Sequence, residues 1–218
     1  MRTTKVDDIR QELKQRYSEQ DIVYGRGGNT VEILGASFIA DKPAILGEPN
    51  EVYIKRELEW YASQSRSINL FPGGAPSIWL SCAGYDGAIN SNYGWCLYSK
   101  ENGSQFSHVV AELQRNPHSR RAVAIYNRPS MHTDAIEGGK QDFICTNAVE
   151  YFLRQGRLHC VVQMRSSDAV LGYRNDLAWQ QYVLLQFAAT LNVAAGQIVW
   201  QAGSLHVYER HFKYLEAL

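Results

Sequence analysis

The chain has 218 residues, 45% of them hydrophobic, enough for one domain with a sizeable core. Its 22 Lys and Arg balance 22 Asp and Glu, which argues against a protein whose main task is to coat nucleic acid or a membrane surface. The mixed-charge opening segment has no apolar core, and no apolar run reaches the roughly 20 residues of a spanning helix, so a cytoplasmic protein without a secretory signal is expected.

Val6, Ile9, Leu13 and Tyr17 recur at helical spacing and predict a helix over 5–19. Residues 24–30 read as a glycine-rich loop without the Gly-Lys-Ser/Thr ending of a phosphate-binding loop, and 30–40 as a strand. Asn50 is placed to cap a helix reaching 63, with Ile54, Leu58 and Tyr61 on one face and Glu57 and Glu59 also on it. A Gly/Pro-rich loop over 65–76 precedes two short apolar runs, 78–82 and 95–98, with turn chemistry at 84–87 between them. A helix is predicted over 105–114, stopped before Pro117. Then come a buried strand over 121–127 and a surface loop over 128–140. Residues 149–153 and 158–164 alternate about Gln155-Gly156 as a hairpin. The longest apolar helix spans 175–192, with Leu177, Gln181, Leu184, Leu185 and Ala188 along one face, and is expected to be central and buried. A last strand covers 197–208. Without repeats or linkers, the reading is one α+β domain over 1–218.

Chemistry-bearing residues crowd between 142 and 179. Cys145 stands at the edge of a strand-like run; Arg165, Ser166 and Asp168 close the next one; Asn175 and Asp176 lie at the mouth of the long helix. A thiol, a fixed cation, a hydroxyl and carboxylates in one supersecondary unit suit covalent chemistry on an anionic small molecule. Each also has a plainer reading. Cys145 as a structural thiol is favoured by the habits of cysteine, and a nucleophilic role needs nearby cations such as Arg120, Arg121 or Arg165. Paired arginines are usually a solvated face, but at a strand mouth they can clamp a phosphate. Glu57 is a solvated charge unless its side faces a pocket, where burial would suit it to acid–base work. His206 and Tyr208, two apart on a strand, share a side. The four cysteines, Cys82, Cys96, Cys145 and Cys160, show no CxxC spacing, so neither disulfides nor a metal site is expected.

The segments 31–43, 56–61, 77–79, 87–95, 115–131, 142–147, 164–183 and 203–212 together resemble the thymidylate synthase family, and within it the deoxycytidylate hydroxymethylase branch. The resemblance covers most of the chain. It implies a large twisted mixed sheet flanked by helices and a sheet-mediated homodimer. Cys145 matches the nucleophile that adds to C6 of a pyrimidine, so that C5 can take the one-carbon unit of 5,10-methylenetetrahydrofolate, a consumed co-substrate; no metal is implied. Glu57 matches the glutamate that manages protons and water. Arg165 and Ser166 match phosphate ligands, and Arg120 and Arg121 the pair that reaches the phosphate of the neighbouring subunit. Arg26 is the nearest cation to the family's loop arginine. His206 and Tyr208 match holders of the sugar 3′-hydroxyl, Trp79 and Asp168 residues that contact folate. Asn175 joins the substrate set.

Departures from the synthase pattern choose the substrate. The asparagine that reads uracil falls at Asp176, and a carboxylate accepts from the 4-amino group of cytosine. A second tryptophan of the synthases is Cys82, leaving room for water beside the one-carbon unit, and a glutamine is Met164. The resemblance therefore implies conversion of dCMP to 5-hydroxymethyl-dCMP in a bacterial cytoplasm, for a phage-type modified DNA, with no direct DNA binding. A reductive dCMP methylase, a CMP hydroxymethylase and a catalytically idle nucleotide- or RNA-binding protein are the competing readings.

Overall fold

A computed structural model of the chain describes residues 4–25 and 27–218. In chain order the elements are α1 (Val6–Ser18), β1 (Thr30–Ile39), α2 (Glu51–Ala62), α3 (Ser77–Cys82), α4 (Tyr93–Tyr98), α5 (Gln105–Arg115) and β2 (Val123–Ile125). Then follow α6 (Met131–Glu137), β3 (Thr146–Arg154), β4 (Arg157–Asp168), α7 (Gly172–Leu191), β5 (Ala194–Tyr208) and α8 (Lys213–Glu216). The strands form a mixed sheet in the order β1-β5-β4-β3-β2. The chain divides into two compact units: one is the segment up to Pro49 with Tyr151–Leu218, the other Asn50–Glu150.

In the first unit β5 has a partner on either side. It runs antiparallel to β1, from Thr30↔Tyr208 to Ile39↔Val199, and parallel to β4, from Arg157↔Ala194 to Asp168↔His206. A parallel pair needs a crossover, and α7 is that crossover. Its Tyr173, Leu177, Val183, Leu184 and Phe187 are buried, as are Cys160, Val162 and Met164 of β4 and Trp200 and Ala202 of β5. Tyr173 meets Trp200 edge-on at 5.1 Å and Phe38 of β1 at 5.9 Å, and its hydroxyl donates to the Lys42 carbonyl. Burying each such side chain contributes about 1.5–3 kcal/mol. β3 and β4 turn about Gln155 and Gly156, whose φ values of 51° and 72° are the left-handed pair a two-residue hairpin turn requires.

In the second unit β2 pairs with the first half of β3, Val123↔Glu150 to Ile125↔Ala148. Asn50 caps α2 by accepting from Tyr53 N. Asn92 caps α4 by accepting from Trp95 N at 2.7 Å, while its amide donates to the carbonyls of Trp60 and Ser65. At Gly94 an added Cβ would lie 1.8 Å from the Tyr61 carbonyl oxygen, so α4 rests directly on the backbone end of α2.

Three elements differ from the sequence reading, one of them in two ways. α2 buries Glu57, Trp60 and Tyr61, whereas Ile54 and Leu58 are half-buried; a large apolar side chain on a helix does not by itself name the buried face. The stretch 128–140 contains α6, anchored by buried Met131, too short to show a period. α7 starts at Gly172, one turn early, which places Asn175 and Asp176 in its opening turns. It is also amphipathic rather than buried all round, with Gln181 and Leu185 exposed.

Gly94→Ala is expected to destabilise the protein by about 3 kcal/mol, the upper range for forced overpacking, read as a lowered urea midpoint at unchanged slope. An unchanged midpoint would show that α4 can lift away from Tyr61 without cost.

Candidate active site

In the second unit two of the singled-out side chains, Glu57 and Trp79, are joined through a third. Glu57 is 5% exposed. Tyr53 stands one helical turn before it, and its hydroxyl donates to Glu57 Oε1 at 2.9 Å. The Trp79 indole N–H in turn donates to Tyr53 Oη at 3.2 Å. A buried carboxylate needs such donors, and this chain of bonds joins Trp79 on α3 to Glu57 on α2. Sequence reasoning missed Tyr53; the signal was its i,i+4 spacing from Glu57 on a helix.

Cys145 is half-buried and directly precedes β3. The residue after it, Thr146, is fully buried and donates to Tyr93 Oη at 3.1 Å. Tyr93 stacks on Tyr61 at 5.3 Å and meets Tyr126 edge-on, so the mouth of β3 rests on three packed tyrosines. Ahead of it, Asp142 Oδ2 accepts from the backbone N–H groups of Asn90 and Ser91 at 2.6 and 2.8 Å. Burial pushes the Asp142 carboxyl up from its ordinary pKa against those bonds. The thiols differ in character. Burial drives Cys96 up to about 11 and Cys160 up to about 12, which leaves both in the unreactive protonated form. Cys82 ends α3, three residues after Trp79 and half-buried.

Arg120 and Arg121 are exposed beside the buried Ser119. Ser119 fixes their backbone: its Oγ accepts from Arg121 N and donates to Glu112.

In the first unit β4 ends in Arg165, exposed, Ser166, half-buried, and Asp168. Asp168 Oδ1 accepts from Val170 N at 2.8 Å and Leu171 N at 3.3 Å, so this carboxylate also shapes the turn into α7. On α7, Asn175 Oδ1 is buried and has no hydrogen-bond partner among the described residues, an acceptor that suits a donor group on a ligand. Asp176 follows it on the same helix. On β5, His206 meets Tyr208 edge-on at 4.9 Å, and the Arg210 guanidinium lies 4.1 Å from the Tyr208 ring centre. Burial holds His206 below its ordinary pKa, opposed by Asp168 and the Ser204 backbone. Arg26 falls outside the described residues. Among the described residues no group of three His, Cys, Asp or Glu is placed to hold a metal ion, and no helix is long and apolar enough to cross a membrane.

The thymidylate synthase family model matches residues 51–218. Deoxycytidylate 5-hydroxymethyltransferase of Enterobacteria phage T4 is 48% identical over 215 residues, covering 95% of this chain and 87% of that protein. The phage T2 protein of that name agrees equally well. A thymidylate synthase of Francisella tularensis subsp. holarctica is 25% identical over 170 residues, covering 73% of this chain and 62% of that one. The solved structure of thermostable thymidylate synthase A from Bacillus subtilis has a TM-score of 0.69 at 23% identity, over 87% of this chain and 70% of that one; the two share a fold.

Tyr53→Phe removes the hydroxyl that links Trp79 to Glu57 and is expected to cost about 1–3 kcal/mol of stability, as for other buried hydrogen bonds losing one partner. Chemical denaturation measures it, and a wild-type midpoint would mean that the bond contributes nothing.

Proposed function

The chain belongs to the thymidylate synthase family, and from that membership we propose that it is a deoxycytidylate 5-hydroxymethyltransferase. It joins the one-carbon unit of 5,10-methylenetetrahydrofolate to C5 of dCMP and adds water, giving 5-hydroxymethyl-dCMP and tetrahydrofolate. The observation that carries the substrate is the opening of α7. There a carboxylate, Asp176, follows a buried acceptor with no described partner, Asn175 Oδ1. Acceptors suit the 4-amino donor of cytosine; the O4 of uracil would be repelled by an ionised carboxylate.

The residues take the following roles. The thiolate of Cys145 adds to C6 of the ring, which makes C5 a carbon nucleophile. The bonds between Tyr53, Trp79 and Glu57 hold the Glu57 carboxylate in place, where it moves protons at the base and at the incoming water. Methylenetetrahydrofolate, when bound, supplies a carbon at the oxidation level of formaldehyde. Trp79 and Asp168 contact it; the indole, tied to Tyr53 through its N–H, offers a flat apolar face fit for an aromatic ring system. Cys82, smaller than an indole, leaves space through which water rather than hydride completes the product. The C5 proton departs and tetrahydrofolate leaves, giving an exocyclic methylene; water adds to that carbon, and expulsion of Cys145 from C6 restores the ring.

Arg165 and Ser166 bind the phosphate. Arg120 and Arg121 reach the phosphate held by a second copy of the chain, so the working protein is a homodimer, each chain a single domain. His206 and Tyr208 hold the sugar. The setting is the cytoplasm of a bacterial host, where the product feeds synthesis of a modified DNA.

Folate-dependent release of tritium from C5-labelled dCMP tests substrate and covalent step together; release from dUMP alone would refute the reading. Cys145→Ser is expected to abolish turnover, and full activity in that variant removes the covalent route. Asp176→Asn is expected to move the dCMP-to-dUMP preference toward dUMP by about tenfold or more, since leaving buried polar groups unpaired costs about 1–3 kcal/mol. An unchanged ratio would assign base reading elsewhere. Dihydrofolate among the products, followed by absorbance, would replace the hydroxymethyl reading with reductive methylation.

A further inference from the structure

β1 and β5 bring a carboxylate, a hydroxyl and an imidazole together. Strand register sets Glu32 opposite His206, and Ser204 lies two residues before His206 on β5. The Ser204 hydroxyl donates to Glu32 Oε1. The same oxygen lies 3.2 Å from His206 Nδ1.

A serine hydroxyl carries one proton, and an ionised carboxylate can only accept. With that proton committed to Glu32, Ser204 Oγ can only accept from the ring. The contact at 3.2 Å is then a hydrogen bond only when Nδ1 carries the hydrogen. Burial, against the pull of Asp168, Glu32 and the Ser204 backbone, holds His206 below its ordinary pKa, so the neutral ring has no second proton to place. Nε2 is left as a bare acceptor. Among the described residues Ser204 supplies the hydrogen bonds of this ring.

We propose that Glu32 is a positioning residue that locks His206, through Ser204, in the Nδ1–H form, so that Nε2 takes a proton only from a ligand hydroxyl. The consequence is selection for a nucleotide with a free 3′-hydroxyl. The opposite tautomer would donate, and would suit a phosphate or carbonyl oxygen as well as a hydroxyl. The locked form rejects both, along with a 3′-deoxy sugar, which has no proton to give. This selection rests on the assignment of His206 to the sugar made above; the tautomer itself does not.

Two measurements test it. In 15N-labelled wild-type protein without ligand, imidazole correlation spectra should show His206 Nδ1 protonated and Nε2 bare, the signals being assigned by their loss in His206→Gln. In Glu32→Ala the serine proton is freed to turn toward Nδ1, and the pattern should move toward Nε2–H. For the same variant KM for dCMP should rise roughly fivefold, as for one weakened hydrogen bond, by a larger factor than kcat falls. Its preference for dCMP over 2′,3′-dideoxycytidine monophosphate should shrink by a similar factor. A wild-type ring protonated at Nε2 overturns the lock, and that arm needs no variant to fold. An unchanged tautomer in a folded Glu32→Ala protein also overturns it. Equal use of the two nucleotides by the wild type overturns the sugar selection. No dCMP turnover by a folded protein with the expected tautomer refutes instead the substrate reading on which that selection rests.

Discussion

A carboxylate taken out of water costs several kcal/mol unless donors replace its hydration, and that constraint organises much of this molecule. Glu57 has Tyr53, Asp142 has two backbone N–H groups, and Glu32 has Ser204. Each arrangement ties two segments far apart in sequence or one turn apart on a helix, so satisfying the charge also fixes the backbone. Asp168 adds a fourth case, its oxygen holding the turn from β4 into α7. These carboxylates are therefore held by the chain's own donors.

The thiols divide along similar lines. Two cysteines are buried, which raises their pKa far above neutrality, and two lie half-buried at the ends of elements. Base rates for cysteine favour a structural role, and Cys96 and Cys160 obey them. Cys145 differs from them in place: it lies at the entrance of a strand rather than within one, next to Thr146, which is bonded to Tyr93.

Much of the fold could be read from residue patterns. The period of Val6, Ile9 and Leu13 located α1, the Gln155-Gly156 turn located the β3–β4 hairpin, and the apolar run after Asp176 located most of α7. What pattern could not supply was the direction of faces. Leu185 reads as core and is exposed; Glu57 reads as surface and is buried. Periodicity reports which residues share a stripe, while the neighbouring element decides which stripe is covered. The candidate residues themselves came from family likeness rather than from spacing. Their supporting partners divide in two: Tyr53 was legible from helical spacing, whereas Glu32 and Ser204 become neighbours only through the β1–β5 register, which no local pattern encodes.

That register has a cost in time. β1 is made early, yet its partner β5 is nearly the last element of the chain. During synthesis β1 therefore waits as an unpaired edge, carrying Val31, Ile33 and Phe38 that end up in the core, the kind of segment that associates with other chains when left open. Until β5 is made, those side chains lack the sheet partner that β1 pairs with in the folded chain.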